Sequence, residues 1–118
     1  MILKGFLALV VCLAVAGVAV ADEGMGHSTP KSVTAVCAAN SADVSWAAVV
    51  DPYLAGYNVY EKSAGEPEYA KANLGLVATL EFTVGQLTSG VTYYFSVTAV
   101  YGGGVESEKS QPATCMTG

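Results

Sequence analysis

From Ser32 to Pro112 apolar side chains recur at every second position in short runs, and clusters of Gly, Pro, Asp and Ser cut these runs about every eight to twelve residues. The run "SVTAVC" sets Val33, Ala35 and Cys37 on one face. "ADVSWAA" does the same with Val44, Trp46 and Ala48, leaving Asp43 and Ser45 opposite. After a break at Asp51-Pro52 and Gly56, "YNVYEK" aligns Tyr57 and Val59 against Asn58, Tyr60 and Lys62. "TLEFTV" aligns Leu80, Phe82 and Val84 against Glu81 and Thr83. "YYFSVTAV" aligns Tyr93, Phe95, Val97 and Ala99 and turns Tyr94, Ser96 and Thr98 outward. The pattern is weaker from Glu68 to Ala78, which reads as a short edge strand followed by a loop, and beyond "YGGG" a last strand is expected from about Glu106 to Pro112. No helical period competes with these assignments downstream of Ala21.

Seven short strands result, each with one wet face, and each must bury its other face against a second layer. For a chain of this size the solution is an all-β, seven-stranded antiparallel sandwich of the immunoglobulin-like kind, expected over residues 32–118. So small a domain has a thin core. Trp46, the single tryptophan, therefore reads as packing rather than as a binding group. Its truncation would cost about 3–5 kcal/mol.

The first 21 residues follow a different rule. Lys4 is their only charge, an apolar run "GFLALVVCLAVAGVAVA" follows, and Ala19-Val20-Ala21 precedes Asp22-Glu23. This is the grammar of a helical secretory signal cleaved after Ala21. The apolar run is at the lower limit for a membrane span and no basic cluster follows it. Val11 before the mid-run Cys12 excludes a lipid anchor. Residues 22–31, "DEGMGHSTPK", read as a disordered leader.

Cleavage changes the charge and the cysteine count. Four lysines, no arginine and ten acids remain, a net charge of −6, which argues against nucleic acid and against insertion into or adhesion to an anionic membrane. Cys37 and Cys115 remain after Cys12 leaves, and an even pair in an oxidising compartment reads as a disulfide. No C-x-x-C spacing exists, and His27, the one histidine, lies in the leader. Neither a metal or cofactor site nor a Ser-His-Asp or Cys-His catalytic group is expected on the rigid body. Glu66 and Glu68 fall on a loop rather than in a cleft, Glu106 and Glu108 read as edge charges that discourage sheet-to-sheet aggregation, and "YGGGVES" lacks the lysine and helix of a phosphate cradle.

Four stretches in order, "VSW" with Trp46, "LAGYNVYEK" with Tyr57 and Val59, "LTSGVTYYFSVTAV", and "GVESEKS", resemble the fibronectin type III domain in the form common in bacterial secreted proteins. The resemblance runs from about Ser28 to Gly118. It implies a tyrosine corner: Leu87 closes the fifth strand, Gly90 makes the turn, and Tyr93 opens the sixth strand with its hydroxyl bonded back to backbone near Leu87. Ser89 stands where many members have proline, which leaves slightly more unfolded-state entropy to overcome. The sulfur bridge is not part of the usual family pattern. It rests on topology: with seven antiparallel strands, Cys37 at the end of the first strand and Cys115 after the last lie at the same end of the sandwich.

The family resemblance implies a secreted or periplasmic, non-enzymatic interaction or scaffold module, an accessory subunit contacting a protein or a polymer. The alternative is a carbohydrate-binding module, since exposed tyrosines stack on sugar rings. Two contact surfaces are expected: a loop end carrying Tyr53 and Leu54 with the stretch from Tyr101 to Val105, and an outer sheet face carrying Tyr60 and Tyr94.

Overall fold

The computed structural model describes residues 27–118; the expected signal segment and most of the leader lie outside them. Eight strands occur in chain order: β1 (Thr34–Cys37), β2 (Ala42–Ser45), β3 (Leu54–Ser63), β4 (Ala70–Lys71), β5 (Glu81–Val84), β6 (Thr92–Tyr101), β7 (Val105–Glu106) and β8 (Ala113–Met116). Every pairing is antiparallel. One sheet has the order β1-β2-β5, and the other β4-β3-β6, with both β7 and β8 on the far side of β6. The two sheets face one another, so this is the expected all-β sandwich.

The period-two pattern sets the register of the core. Val44 of β2, Tyr57 and Val59 of β3, and Tyr93, Phe95, Val97 and Ala99 of β6 all turn inward and are buried. Across β3 and β6 the register pairs Tyr57 with Ala99 and Val59 with Val97, alternating large with small or branched side chains on the inner face. Trp46 lies just past the end of β2 and meets Tyr57 edge to face, ring centroids 5.4 Å apart. Its indole N–H has no partner among the described residues. Tyr57 instead uses its hydroxyl to accept the Val49 N–H at 3.0 Å, tying the β2–β3 loop to the core.

Four details depart from the sequence reading. The last strand is not one run from Glu106 to Pro112 but two short pieces, β7 and β8, and Cys115 lies within β8 rather than after it. The intervening stretch runs along the edge of β6 between β7 and β8, where the Ser107 and Ser110 N–H groups donate to the Ala99 and Val97 carbonyls, the Ser110 hydroxyl takes the Val97 N–H at 2.9 Å and Ser96 Oγ donates to the Ser110 carbonyl at 2.9 Å. Ser96 and Thr98, expected outward and wet, are consequently buried. Leu80 is displaced from the inner face because β5 begins only at Glu81, and Leu87 lies beyond the end of β5, though buried. Residues 28–31, expected within a disordered leader, are tied to the body: Pro30 is buried, the Lys31 carbonyl accepts the Ala47 N–H, and the Ser28 carbonyl accepts the Tyr101 hydroxyl at 2.7 Å.

Two devices close the sandwich at the end away from the β2–β3 loop. Gly90 adopts φ +77°, a left-handed conformation that side chains resist, and so makes the β5–β6 turn. Tyr93 then accepts the Thr88 N–H on its hydroxyl at 2.9 Å while its ring stays in the core. Nearby, the Thr117 hydroxyl takes the Val91 N–H and donates to the Thr88 carbonyl, locking the chain terminus to the same turn. Cys37 and Cys115 are bridged, with Cα atoms 5.8 Å apart, joining β1 of one sheet to β8 of the other.

Candidate functional site

The end opposite the disulfide is built from two loops. The β2–β3 loop, Trp46 to Tyr53, is braced from inside: the Asp51 carboxylate accepts the Tyr53 N–H at 2.8 Å and the Asp51 carbonyl accepts the Leu54 N–H. It is joined to the turn Gly102–Gly104 by the Gly102 N–H donating to the Tyr53 carbonyl at 2.9 Å. Gly103 at φ 83°, ψ 2° reverses the chain there, a conformation cheap only for glycine. Anchored backbone of this kind leaves side chains to project. Val50 is 97% exposed, Tyr53 73%, and Val105 and Leu80 stand partly in water at the same end, Leu80 next to Trp46 through the Trp46 N–H to Leu80 carbonyl bond. Leu54 is half-buried beneath them.

Tyr101 does not belong to this surface. It is 1% exposed, His27 stacks on its ring with centroids 4.1 Å apart, and its hydroxyl is spent on Ser28. The alternation that turns Tyr93 through Ala99 inward reaches Tyr101 two residues later, so a signal for its burial was present in the sequence. Burial raises its pKa, and the charges of Asp51 and Tyr57 act in the same direction.

On the outer face of the β4-β3-β6 sheet, Tyr60 and Tyr94 are half-buried. Lys109 sits 4.5 Å from the Tyr60 ring centroid and Lys62 lies 5.8 Å from that of Tyr94 and 5.1 Å from that of Tyr69. These cations occupy ring faces by cation–π attraction. Glu106 is more than an edge charge. A single carboxylate oxygen, Oε2, accepts Tyr60 Oη at 2.5 Å, Thr98 Oγ1 at 2.5 Å and Asn58 Nδ2 at 3.2 Å. Asn58 in turn accepts from Asn73, whose own oxygen takes the Val59 N–H at 2.8 Å. Burial alone would raise the Glu106 pKa, but the bonds from Thr98, Tyr60 and Asn58 and the charge of Lys71 together lower it. The Tyr60 hydroxyl is pushed up to about 12, first by burial and then by its bond to and the charge of Glu106. This network was invisible in the sequence because it joins residues 48 positions apart. It ties β7 to β3 and structures the sheet. Glu66 accepts the Ser63 N–H and thereby closes the β3–β4 turn.

Among the described residues no cluster of three or more His, Cys, Asp or Glu groups could hold a metal, and no helix is long and apolar enough to cross a membrane.

Two facing antiparallel sheets with a tyrosine corner define an immunoglobulin-like sandwich module. The chain belongs to the fibronectin type III domain family, whose model matches residues 28–116. Members of this family are generally non-catalytic structural or binding modules. Among solved structures it is similar to a Fn3-like protein from Clostridium thermocellum at 27% identity and TM-score 0.65, covering 79% of this chain and 95% of that one. It is also similar to a structure described as a myokine at 25% identity and TM-score 0.67, covering 78% and 98%. The human cardiac titin module A71, at 24% identity and TM-score 0.66 over 74% and 88%, shares the fold. No curated protein matches the chain by sequence.

Proposed function

We propose that the protein is an exported, non-enzymatic interaction module that contacts a partner protein through the loop end carrying Val50, Tyr53 and Val105. The observation that carries this reading is the combination of braced backbone and projecting apolar side chains at that end. The Asp51 bonds and the Gly102–Tyr53 bond fix the loops, so little ordering entropy is lost on contact. Tyr53 then offers a large ring and a hydroxyl at low entropy cost. The disulfide and the expected signal segment ending at Ala21 support an oxidising, extracytoplasmic location. The saccharide reading draws less support, because lysines lie over the Tyr60 and Tyr94 rings where a sugar would stack.

Site-specific photo-crosslinking in the native cell tests the assignment. A photoreactive residue at Tyr53 should capture a discrete protein adduct, and one at Tyr94 should not. With the photoreactive residue placed instead at Val105, Tyr53→Ala with Val50→Asp should abolish the adduct while changing stability by less than about 1 kcal/mol, since both side chains are exposed. Equal capture from Tyr94, or none from Tyr53, contradicts the proposal.

A further inference from the structure

The sandwich is asymmetric along its two long sides. On one side the disulfide draws β1 and β8 together. On the other, the edge strands are β5, which pairs only with β2, and β4, which is two residues long. Between them lies a groove of about 740 Å³ lined by Glu61, Leu74, Leu76, Phe82, Val84 and Gln86 among others. Leu74 is fully exposed and Leu76 half exposed. One side of the β5 backbone, Glu81–Val84, has no strand partner among the described residues. An uncovered edge beside apolar side chains is the arrangement that accepts an added strand.

Charge selects the occupant. Glu61 takes an inward position on β3, two residues beyond Val59, and is cross-strand to Phe95. Burial first, and then the charge of the neighbouring Glu66, raise its pKa, so a second carboxylate stands close to it, while Lys71 also lines the groove. Two copies of a chain with formal charge −5 repel one another, which disfavours edge-to-edge self-pairing. We propose that this groove receives an extended, basic segment of a partner protein, added to β5 as a further strand, with its apolar side chains toward Leu74, Leu76 and Phe82 and a lysine or arginine against Glu61. This surface is separate from the loop end. It gives the module a second contact that reads backbone and charge.

The test uses residues 22–118 and a fluorescent short peptide alternating valine and lysine, titrated by anisotropy at low ionic strength. The same peptide with a central proline and a valine–glutamate peptide serve as controls. Binding of the valine–lysine peptide alone is expected, with added amide-exchange protection confined to Glu81–Val84. Glu61→Lys should weaken it by about fivefold or more, and Leu74→Ser, at a fully exposed position, should weaken it without altering the fold by near-UV circular dichroism. No binding, equal binding by Glu61→Lys, protection at Tyr53 and Val105 instead, or a peptide-free dimer in sedimentation would each overturn the proposal.

Discussion

Replacing Tyr93 by Phe removes one oxygen and leaves the ring. The lost group accepts the Thr88 N–H at 2.9 Å beneath the crossover from β5 to β6. The ring is 8% exposed, so the packing term is unchanged and the effect isolates the hydrogen bond. An amide left unpaired in a buried site costs about 1–3 kcal/mol. Thr88 itself lies at the surface and water reaches part of the turn, which places the expected loss at about 1–2 kcal/mol. In urea, with a slope near 1 kcal/mol per molar at this size, the midpoint should fall by about 1–2 M. The thermal midpoint should fall by roughly 5–15 °C. Tyr94→Phe, one residue on and facing the other way, is the internal control and should stay within about 0.5 kcal/mol. A Tyr93→Phe protein as stable as the parent would refute the view that the corner bond, rather than the ring, secures this crossover.

Three further outcomes follow from the same geometry. Cys37→Ala with Cys115→Ala opens a loop of 78 residues and should cost about 4–5 kcal/mol in the chain-entropy model, read by denaturant melts with and without reductant; a reductant-insensitive melt of the parent would count against the bridge as a staple. Trp46→Phe deletes volume but also a buried N–H that has no partner among the described residues, so its cost should be about 1–2 kcal/mol, well under the 3–5 kcal/mol of Trp46→Ala; a Phe variant as costly as Ala would count against ring packing as the role of Trp46. The Tyr60 hydroxyl, raised from 10.0 to about 12, stays protonated in the fold while it ionises in the unfolded chain, so its contribution is complete below pH 10 and is lost as pH rises through about 12. Glu106, lowered, contributes above its unfolded pKa and loses that contribution as pH falls through its folded value. Tyr60→Phe should flatten the alkaline limb of a stability–pH profile and Glu106→Gln the acid limb, and unchanged limbs would sink the network's role.

Local alternation was enough to place the core. Val44, Trp46, Tyr57, Val59 and the inward half of β6 all follow from period two, because a strand's two faces differ in burial and its side chains record which is which. The corner was legible because Leu87, Gly90 and Tyr93 sit close in sequence. What failed depends on contacts between distant segments. Nothing near Ser96 or Thr98 announces that residues 105–112 will line the edge of β6 and offer Ser110 and Glu106 as their partners, so two polar positions expected to be wet are buried. Glu106 looked like a lone edge charge for the same reason: its partners Asn58, Tyr60 and Thr98 arrive from other strands. Tyr101 looks like a loop residue because three glycines follow it, yet β6 and its alternation run on through it and bury its ring.

On our proposal the sandwich leaves the reducing cytoplasm, is cleaved from its apolar signal segment after Ala21, and carries the Cys37–Cys115 bridge across its two sheets. Intact mass spectrometry of the protein isolated from its native cell under alkylating conditions tests all three together. The predicted species begins at Asp22, carries no alkyl group on Cys37 or Cys115, and is lighter than its reduced form by the two thiol hydrogens. A chain that retains Met1, or one alkylated at both cysteines without prior reduction, would contradict it.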